Sequence, residues 1–218
     1  MGFDGFPDRM LSFYEGLRAD NTKAYWTDHK SVYDECVAAP MRALLDDLEP
    51  EFGEAKFFRP YRDVRFAKDK TPYKTQAAAL VGHGEGEGGL YLAVSADGVF
   101  VGGGYYHTST DQAQRLRGAV DDSRTGAEIA AILATLRKQG WEIGGDQLKR
   151  IPKPYDDAHP RADLIRHKSL IASKSEPPDE WLHTAKVKAR VAKGWRQLRG
   201  LNDWLKANVG PAREPRRR

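Results

Sequence analysis

The chain has 218 residues, 40% of them hydrophobic and 30% charged. That balance excludes wholesale disorder, makes a disulfide scaffold unnecessary, and suffices for one self-supporting core. A formal charge of +4 comes mostly from Arg213, Arg216, Arg217 and Arg218 set against Glu214, so bulk charge argues little for a polyanion partner.

From 7 to 48 the apolar residues Met10, Phe13, Tyr14 and Leu17, then Val32, Val37, Met41, Leu44, Leu45 and Leu48, recur at three- and four-residue spacing. This predicts two or three amphipathic helices. Asp20 and Asn21 mark a break and an N-cap between them, and Pro40 ends one helix or starts the next. The single cysteine, Cys36, excludes an intramolecular disulfide and reads as a buried packing residue.

The pattern changes between 56 and 66 to aromatic and β-branched residues, and 76–81, 90–94 and 99–103 also read as short strands. Ala96-Asp97-Gly98 has the chemistry of a tight hairpin turn. Helical signals return over 109–120 and 125–138, the second opened by Thr125 and closed by Gly140. A proline-rich connector spans 151–160. The stretch 179–209 reads as helix, with Trp181, Val187, Val191, Trp195, Leu198 and Leu205 along one stripe. The expected architecture is α+β: a mainly antiparallel sheet in the middle of the chain, packed against N-terminal and C-terminal helices. One domain is expected over 1–209, with 210–218 a disordered basic tail.

No stretch approaches the roughly 18 consecutive apolar residues of a membrane span, and the N-terminus lacks the order of a signal peptide. The expected protein is soluble and cytoplasmic, without a membrane partner; its oligomeric state is open.

The segment Arg59-Pro-Tyr-Arg-Asp-Val-Arg-Phe-Ala-Lys-Asp-Lys-Thr-Pro-Tyr-Lys74 holds six basic and two acidic side chains. If 61–66 is extended, Tyr61, Asp63 and Arg65 share one face. A carboxylate between arginines holds their guanidinium forks for paired hydrogen bonds to phosphate or carboxylate, which makes Asp63 an orienter. Asp69 can accept backbone N–H bonds in the turn, displaying Lys68, Lys70 and Lys74. Three readings stand: a salt-bridge network bracing the sheet against the helices, a solvated hairpin, and an anion site. The hairpin reading leaves Phe57, Phe58, Tyr61, Phe66 and Tyr73 exposed together at a cost.

Other motifs carry less. Gly84-x-Gly86-x-x-Gly89 matches a dinucleotide fingerprint in form only, because a strand rather than a helix N-terminus follows it. Gly102, Gly103 and Gly104 permit a close approach by a ligand or another backbone. The six histidines show no metal-ligand spacing, so no metal site is expected, and whether a cofactor is used stays open. His29, His107, Asp63 and Asp69 are the residues able to move protons. Lys186, Lys188, Arg190, Lys193, Arg196 and Arg199 form a basic face on the last helix, which reads either as solvated or as a phosphate-backbone contact.

The run from Arg59 to Lys74 resembles the signature of domain-of-unknown-function family 2461, a group of conserved bacterial and fungal proteins. Asn21, Trp26, His29, Lys30 and Tyr33 resemble its N-terminal pattern, and Gly145, Asp146, Leu148, Lys149, Arg150 and Pro152 a later block. The resemblance covers roughly 3–205 and implies no activity. One departure is Asp20, where members often carry a second asparagine.

The expected function is binding of a small phosphorylated or carboxylated ligand by Arg59, Arg62, Arg65, Lys68, Asp69, Lys70 and Lys74, with Asn21 and Lys30 completing the pocket. His29 and Asp63 are the proton-transfer candidates should the protein be an enzyme. Two alternatives stand beside this: nucleic-acid binding through the hairpin, last helix and arginine-rich tail, and a scaffold domain docking a partner.

Overall fold

In a computed structural model that describes residues 2–82 and 88–213, three helices open the chain. They are α1 (Arg9–Ala19), α2 (Lys23–Tyr33) and α3 (Ala39–Phe52), the last two joined by a π-helical turn, Asp34–Ala38. Thr22, not Asn21, caps α2, its hydroxyl accepting from the Tyr25 N–H at 3.2 Å. Pro40 sits in the first turn of α3, directly after the π turn. Cys36 is buried within the π turn.

Strands β1 (Ala55–Phe57), β2 (Gln76–Val81), β3 (Gly89–Ser95) and β4 (Gly98–Tyr105) follow. Next come α4 (Thr110–Asp121), α5 (Ser123–Lys138), β5 (Glu142–Gly144), α6 (Ala162–Ile165), β6 (Leu170–Glu176) and α7 (Lys186–Asn208). The strands form one six-stranded sheet in the order β1-β2-β3-β4-β6-β5, mainly antiparallel, with helices at both ends of the chain. The fold is α+β.

Strands β5 and β6 do not stand out in the sequence. β5 is three residues long, and β6, Leu-Ile-Ala-Ser-Lys-Ser-Glu, carries its apolar residues only at one end. Both are strands because their partners fix them: Glu142, Ile143 and Gly144 pair with Ser173, Ala172 and Ile171. The expected strand over 56–66 shrinks to Ala55–Phe57. Asp122, rather than Thr125, caps α5, taking the N–H groups of Arg124 and Thr125. The glycine run 84–86 lies outside the described residues; a strand rather than a helix occupies 90–94 as expected, and it begins one residue earlier, at Gly89.

The chain divides into two compact units. The first comprises Met1–Val81, Tyr91–Val101 and Ser175–Lys193. Its core holds Phe6, Met10, Phe13, Tyr14 and Leu17 of the N-terminal region with Met41, Leu44 and Leu48 of α3, all at most 3% exposed. Lys188 reaches Asp47 at 3.1 Å and Arg190 pairs with Glu176, so this end of α7 spends two of its basic side chains on internal ion pairs.

The second unit comprises Gly82–Leu90, Gly102–Lys174 and Gly194–Arg218. Leu116, Ile129, Leu133, Leu136, Trp195, Leu198 and Leu205 fill its core. Residues 210–213 are tied to α4: the Gln112 amide donates to the Gly210 carbonyl at 2.8 Å and Arg115 to that of Pro211 at 2.7 Å. No helix among the described residues is long and apolar enough to cross a membrane.

Gly104 has φ +114°, and a Cβ there would run into the carbonyl oxygen of Leu170. The glycine serves the approach of a neighbouring backbone. Gly118, inside α4, has open space instead. Gly104→Ala is expected to lower stability by more than about 1 kcal/mol, while Gly118→Ala raises it by about 0.5–1 kcal/mol. Urea unfolding of both variants checks the pair; equal effects would mean that backbone approach does not govern Gly104.

A braced cationic loop as candidate functional site

Because Thr22 caps α2, the amide of Asn21 is released to act elsewhere. Its Nδ2 donates to the Tyr73 carbonyl and its Oδ1 accepts the Tyr73 N–H, each at 3.0 Å. A primary amide presents one donor and one acceptor side by side, as a peptide unit does, so Asn21 acts as a one-residue ladder partner. Tyr73 is thereby seated flat on Trp26, ring centroids 4.3 Å apart and planes within 7°. Tyr33 lies 4.9 Å from Trp26, and Tyr61 lies 5.9 Å from it.

Tyr73 is bridged to Tyr61, and two backbone bonds close the neck of the loop: Arg62 N–H to the Pro72 carbonyl and Lys74 N–H to the Pro60 carbonyl, both 2.8 Å. Each proline lacks a donor and serves here only as an acceptor.

Beyond that neck the chain forms no strand, where a strand with alternating faces was expected over 61–66. Side-chain to backbone bonds compete with any ladder. Asp63 turns onto Arg65, accepting its N–H at 3.3 Å, Nε at 3.0 Å and Nη2 at 2.7 Å. The Arg62 guanidinium bonds both the Asp69 carboxylate and the Thr71 hydroxyl, and Asp69 accepts the Thr71 N–H at 2.9 Å. Lys70 Nζ donates to the carbonyls of Val64 at 2.9 Å and Arg65 at 3.5 Å. Apart from the bridge at Tyr61, residues 61–66 thus form no strand on which Tyr61, Asp63 and Arg65 could be ordered as one face.

The charges follow from this geometry. Hydrogen bonding from the Arg65 guanidinium, then from its N–H, holds the Asp63 carboxyl at about 2. The Thr71 N–H, then the Arg62 guanidinium, hold Asp69 at about 2. A carboxylate this acidic is a weak base at neutral pH, which fits Asp63 to orienting Arg65 better than to accepting protons. Arg62 and Arg65 each have a carboxylate partner.

Among the described residues Arg59 and Lys74 are not ion-paired, although the Asp63 carboxylate lies near enough for the Arg59 charge to help hold it down. The two cations stand together. Lys74 Nζ donates to the Arg59 carbonyl at 2.9 Å and lies 5.4 Å from the Phe58 ring centroid. Burial, and then the Arg59 charge, push the Lys74 ammonium below its ordinary range. Lys68 is exposed and likewise has no ion pair among the described residues. Arg42 of α3 adds a cation that no sequence signal marked. Its guanidinium sits 5.5 Å from the Phe57 centroid and counters the effect of burial on the Tyr33 phenol, which rises to about 12.

His29 stacks on Tyr25 with centroids 4.0 Å apart. Its Nδ1 lies 2.9 Å from the Tyr25 carbonyl, which can only accept, so Nδ1 carries the proton and Nε2 is left as the acceptor. Lys30 pairs with Asp34 along α2. No hydrogen bond or ion pair joins either residue to 59–74 among the described residues.

The other histidines serve locally. His167, buried, accepts from the Gln147 amide at Nε2 and donates from Nδ1 to the Ser169 carbonyl, each at 2.9 Å. His159 contacts Asp121 and His183 contacts Asp8, while His107 packs edge-on to Tyr106 and His83 lies outside the described residues. Among the described residues no three His, Cys, Asp or Glu side chains are grouped to hold a metal ion. The block 145–152 belongs to the second unit, where the Leu148 N–H donates to the Arg166 carbonyl.

An α+β fold carrying a cationic loop tied down by its own side chains is thus the class of protein at hand. The chain belongs to the family of conserved hypothetical proteins DUF2461, whose model matches residues 9–204. No curated protein matches it closely enough to count as a relative.

Two outcomes test the brace. Asn21→Ala leaves the Tyr73 N–H and carbonyl without partners and is expected to cost about 1–3 kcal/mol in urea unfolding; a loss below about 0.5 kcal/mol would make the clamp dispensable. The Asp63 and Asp69 carboxyls titrate lower in the fold than their ordinary 3.8. What they contribute is present above that value and lost as pH falls from it towards 2. Pepsin cleavage within 62–71 is expected to accelerate as pH drops across this window, and Asp69→Asn is expected to expose the loop to a neutral protease at pH 7.

Proposed function

We propose that the first unit binds a small phosphorylated or carboxylated ligand at the 59–74 loop, with Arg59 and Lys74 as the contacting pair. The observation that carries this reading is two adjacent cations, one of them half-buried, with no carboxylate ion-paired to either among the described residues. Holding like charges together is unfavourable, and a bound anion removes that cost while its oxygens take charge-assisted hydrogen bonds. Lys68 and Lys70 extend the positive field.

Arg62, Arg65, Asp63 and Asp69 support the site from behind. Each arginine is engaged by a carboxylate, and their pairing stiffens the loop, so that little ordering is left to be done on binding. Asn21 belongs to the same support. His29, with Nε2 as its acceptor nitrogen, is the side chain suited to proton transfer on a ligand reaching α2. The reading is one of binding, with catalysis by His29 as its extension.

The basic face of α7 contributes less to anion binding than its composition suggests, since Lys188 and Arg190 are ion-paired.

Melting temperature is the test, measured with inorganic phosphate, sugar phosphates, nucleotides and dicarboxylates. A ligand at a hundred times its Kd stabilises by about 2.7 kcal/mol. Wild-type protein is expected to gain stability with one of these classes and Arg59→Gln to lose that gain without melting lower on its own. Arg62→Ala is expected to melt lower even without ligand, because it cuts the bonds to Asp69 and Thr71. Binding should weaken as pH rises through the lowered pKa of Lys74, since only the ammonium form attracts an anion. A response untouched by Arg59→Gln, or none to any anion, would overturn the site.

A further inference from the structure

Phe66 stands at the tip of the cationic loop with 97% of its surface exposed, and Tyr61 on the same loop is 46% exposed. Leaving a phenylalanine in water forgoes the favourable burial of its apolar ring. The chain before it is not loose. Asp63 holds the Arg65 N–H and guanidinium, and Lys70 holds the carbonyls of Val64 and Arg65. The ring is displayed by a backbone fastened immediately before it.

The surroundings of the two rings narrow the partner. Arg62 with Asp69 and Arg65 with Asp63 are neutral pairs, so the uncompensated charge of the segment resides on Arg59, Lys68, Lys70 and Lys74. In chain order a cation, a half-exposed ring, a fully exposed ring and further cations follow one another, so that free cations flank the two rings. A partner fitting this pattern has flat apolar faces separated by negative charges. Single-stranded nucleic acid has that chemistry: each base offers a face to an aromatic side chain, and each phosphate a charge. Duplex does not, because its base faces are already stacked on one another.

We propose that this loop binds single-stranded nucleic acid, with Phe66 and Tyr61 stacking on bases and Arg59, Lys68 and Lys74 meeting the neighbouring phosphates. The inference rests on the anion site proposed above, whose ligand becomes one phosphate of a chain. It goes beyond that site through Phe66, which a small anion does not need.

The experiment uses the full chain, so that the tail is common to all variants, and labelled single strands of about eight nucleotides, the size one such site covers. Fluorescence anisotropy is followed across a salt series, with duplex of the same sequence and anionic phospholipid vesicles as parallel arms. Wild type is expected to bind single strand better than duplex. Phe66→Ala should weaken the single strand about tenfold or more with the salt slope unchanged. Lys68→Gln should reduce the magnitude of that slope by about 0.7. Since Phe66 is almost wholly exposed, its replacement leaves the fold intact, which the melting temperature verifies.

Failure to bind single strand at low salt, with the phosphate-induced melting shift still present, would overturn this inference and leave the small-anion site standing. Loss of both would overturn the two together. Equal affinity for duplex with no effect of Phe66→Ala would reduce the interaction to bulk charge, and Phe66-dependent capture by vesicles but not by oligonucleotides would assign the loop to a lipid surface; either result overturns the proposal.

Discussion

The reciprocal pair of hydrogen bonds between the Asn21 amide and the Tyr73 backbone is the constraint on which the loop region depends. Through it the turn between α1 and α2 is joined to a segment some fifty residues away. Tyr73, so held, stacks on Trp26 and pairs with Tyr61. That pairing sets the neck of the loop, and the neck sets where Arg59 and Lys74 stand. The amide can do this only because Thr22 relieves it of capping α2. An asparagine beside a helix start thus has a long-range structural task, and the aromatic cluster around Phe13, Trp26, Tyr33 and Tyr73 gives it a rigid floor.

The electrostatics of the loop follow a division of labour. Its two carboxylates are spent inside the loop, each on one arginine and on a nearby backbone N–H. Exposed ion pairs of this kind contribute little to stability one by one. Their value lies in geometry, since they replace the strand ladder that the segment does not form and fix the direction of the chain before Phe66. What is left over is cationic and, for Lys74, partly withdrawn from water. Stiffness and residual charge together are what an anion site requires.

Much of the fold was legible. The helical stripes of α1, α3 and α7 point to residues that are buried, among them Met10, Leu17, Leu44, Val187, Val191, Trp195 and Leu198. The Ala96-Asp97-Gly98 turn joins β3 to β4 with Gly98 at φ +98°. The candidate site was legible as composition only. Alternation of aromatic and charged residues over 56–66 reads as a strand, and local side-chain bonds from Asp63, Asp69 and Lys70 override it. Arg42 was invisible because a lone arginine on a helix looks like any solvated residue. β5 and β6 were missed because short segments of weak β propensity become strands only through their neighbours.

Sequence alone determined the α+β class, the helical faces, the hairpin turn and the density of cations between Arg59 and Lys74. These rest on local chemistry: periodicity, turn residues and charge count are properties of nearby residues. Tertiary structure decided which of those cations are neutralised and which are left over, that Asn21 holds Tyr73, that Arg42 approaches Phe57 and Tyr33, and that Phe66 faces water. Each of these depends on residues far apart in the chain, or on a competition between side chain and backbone for the same N–H. Only the folded geometry settles that competition.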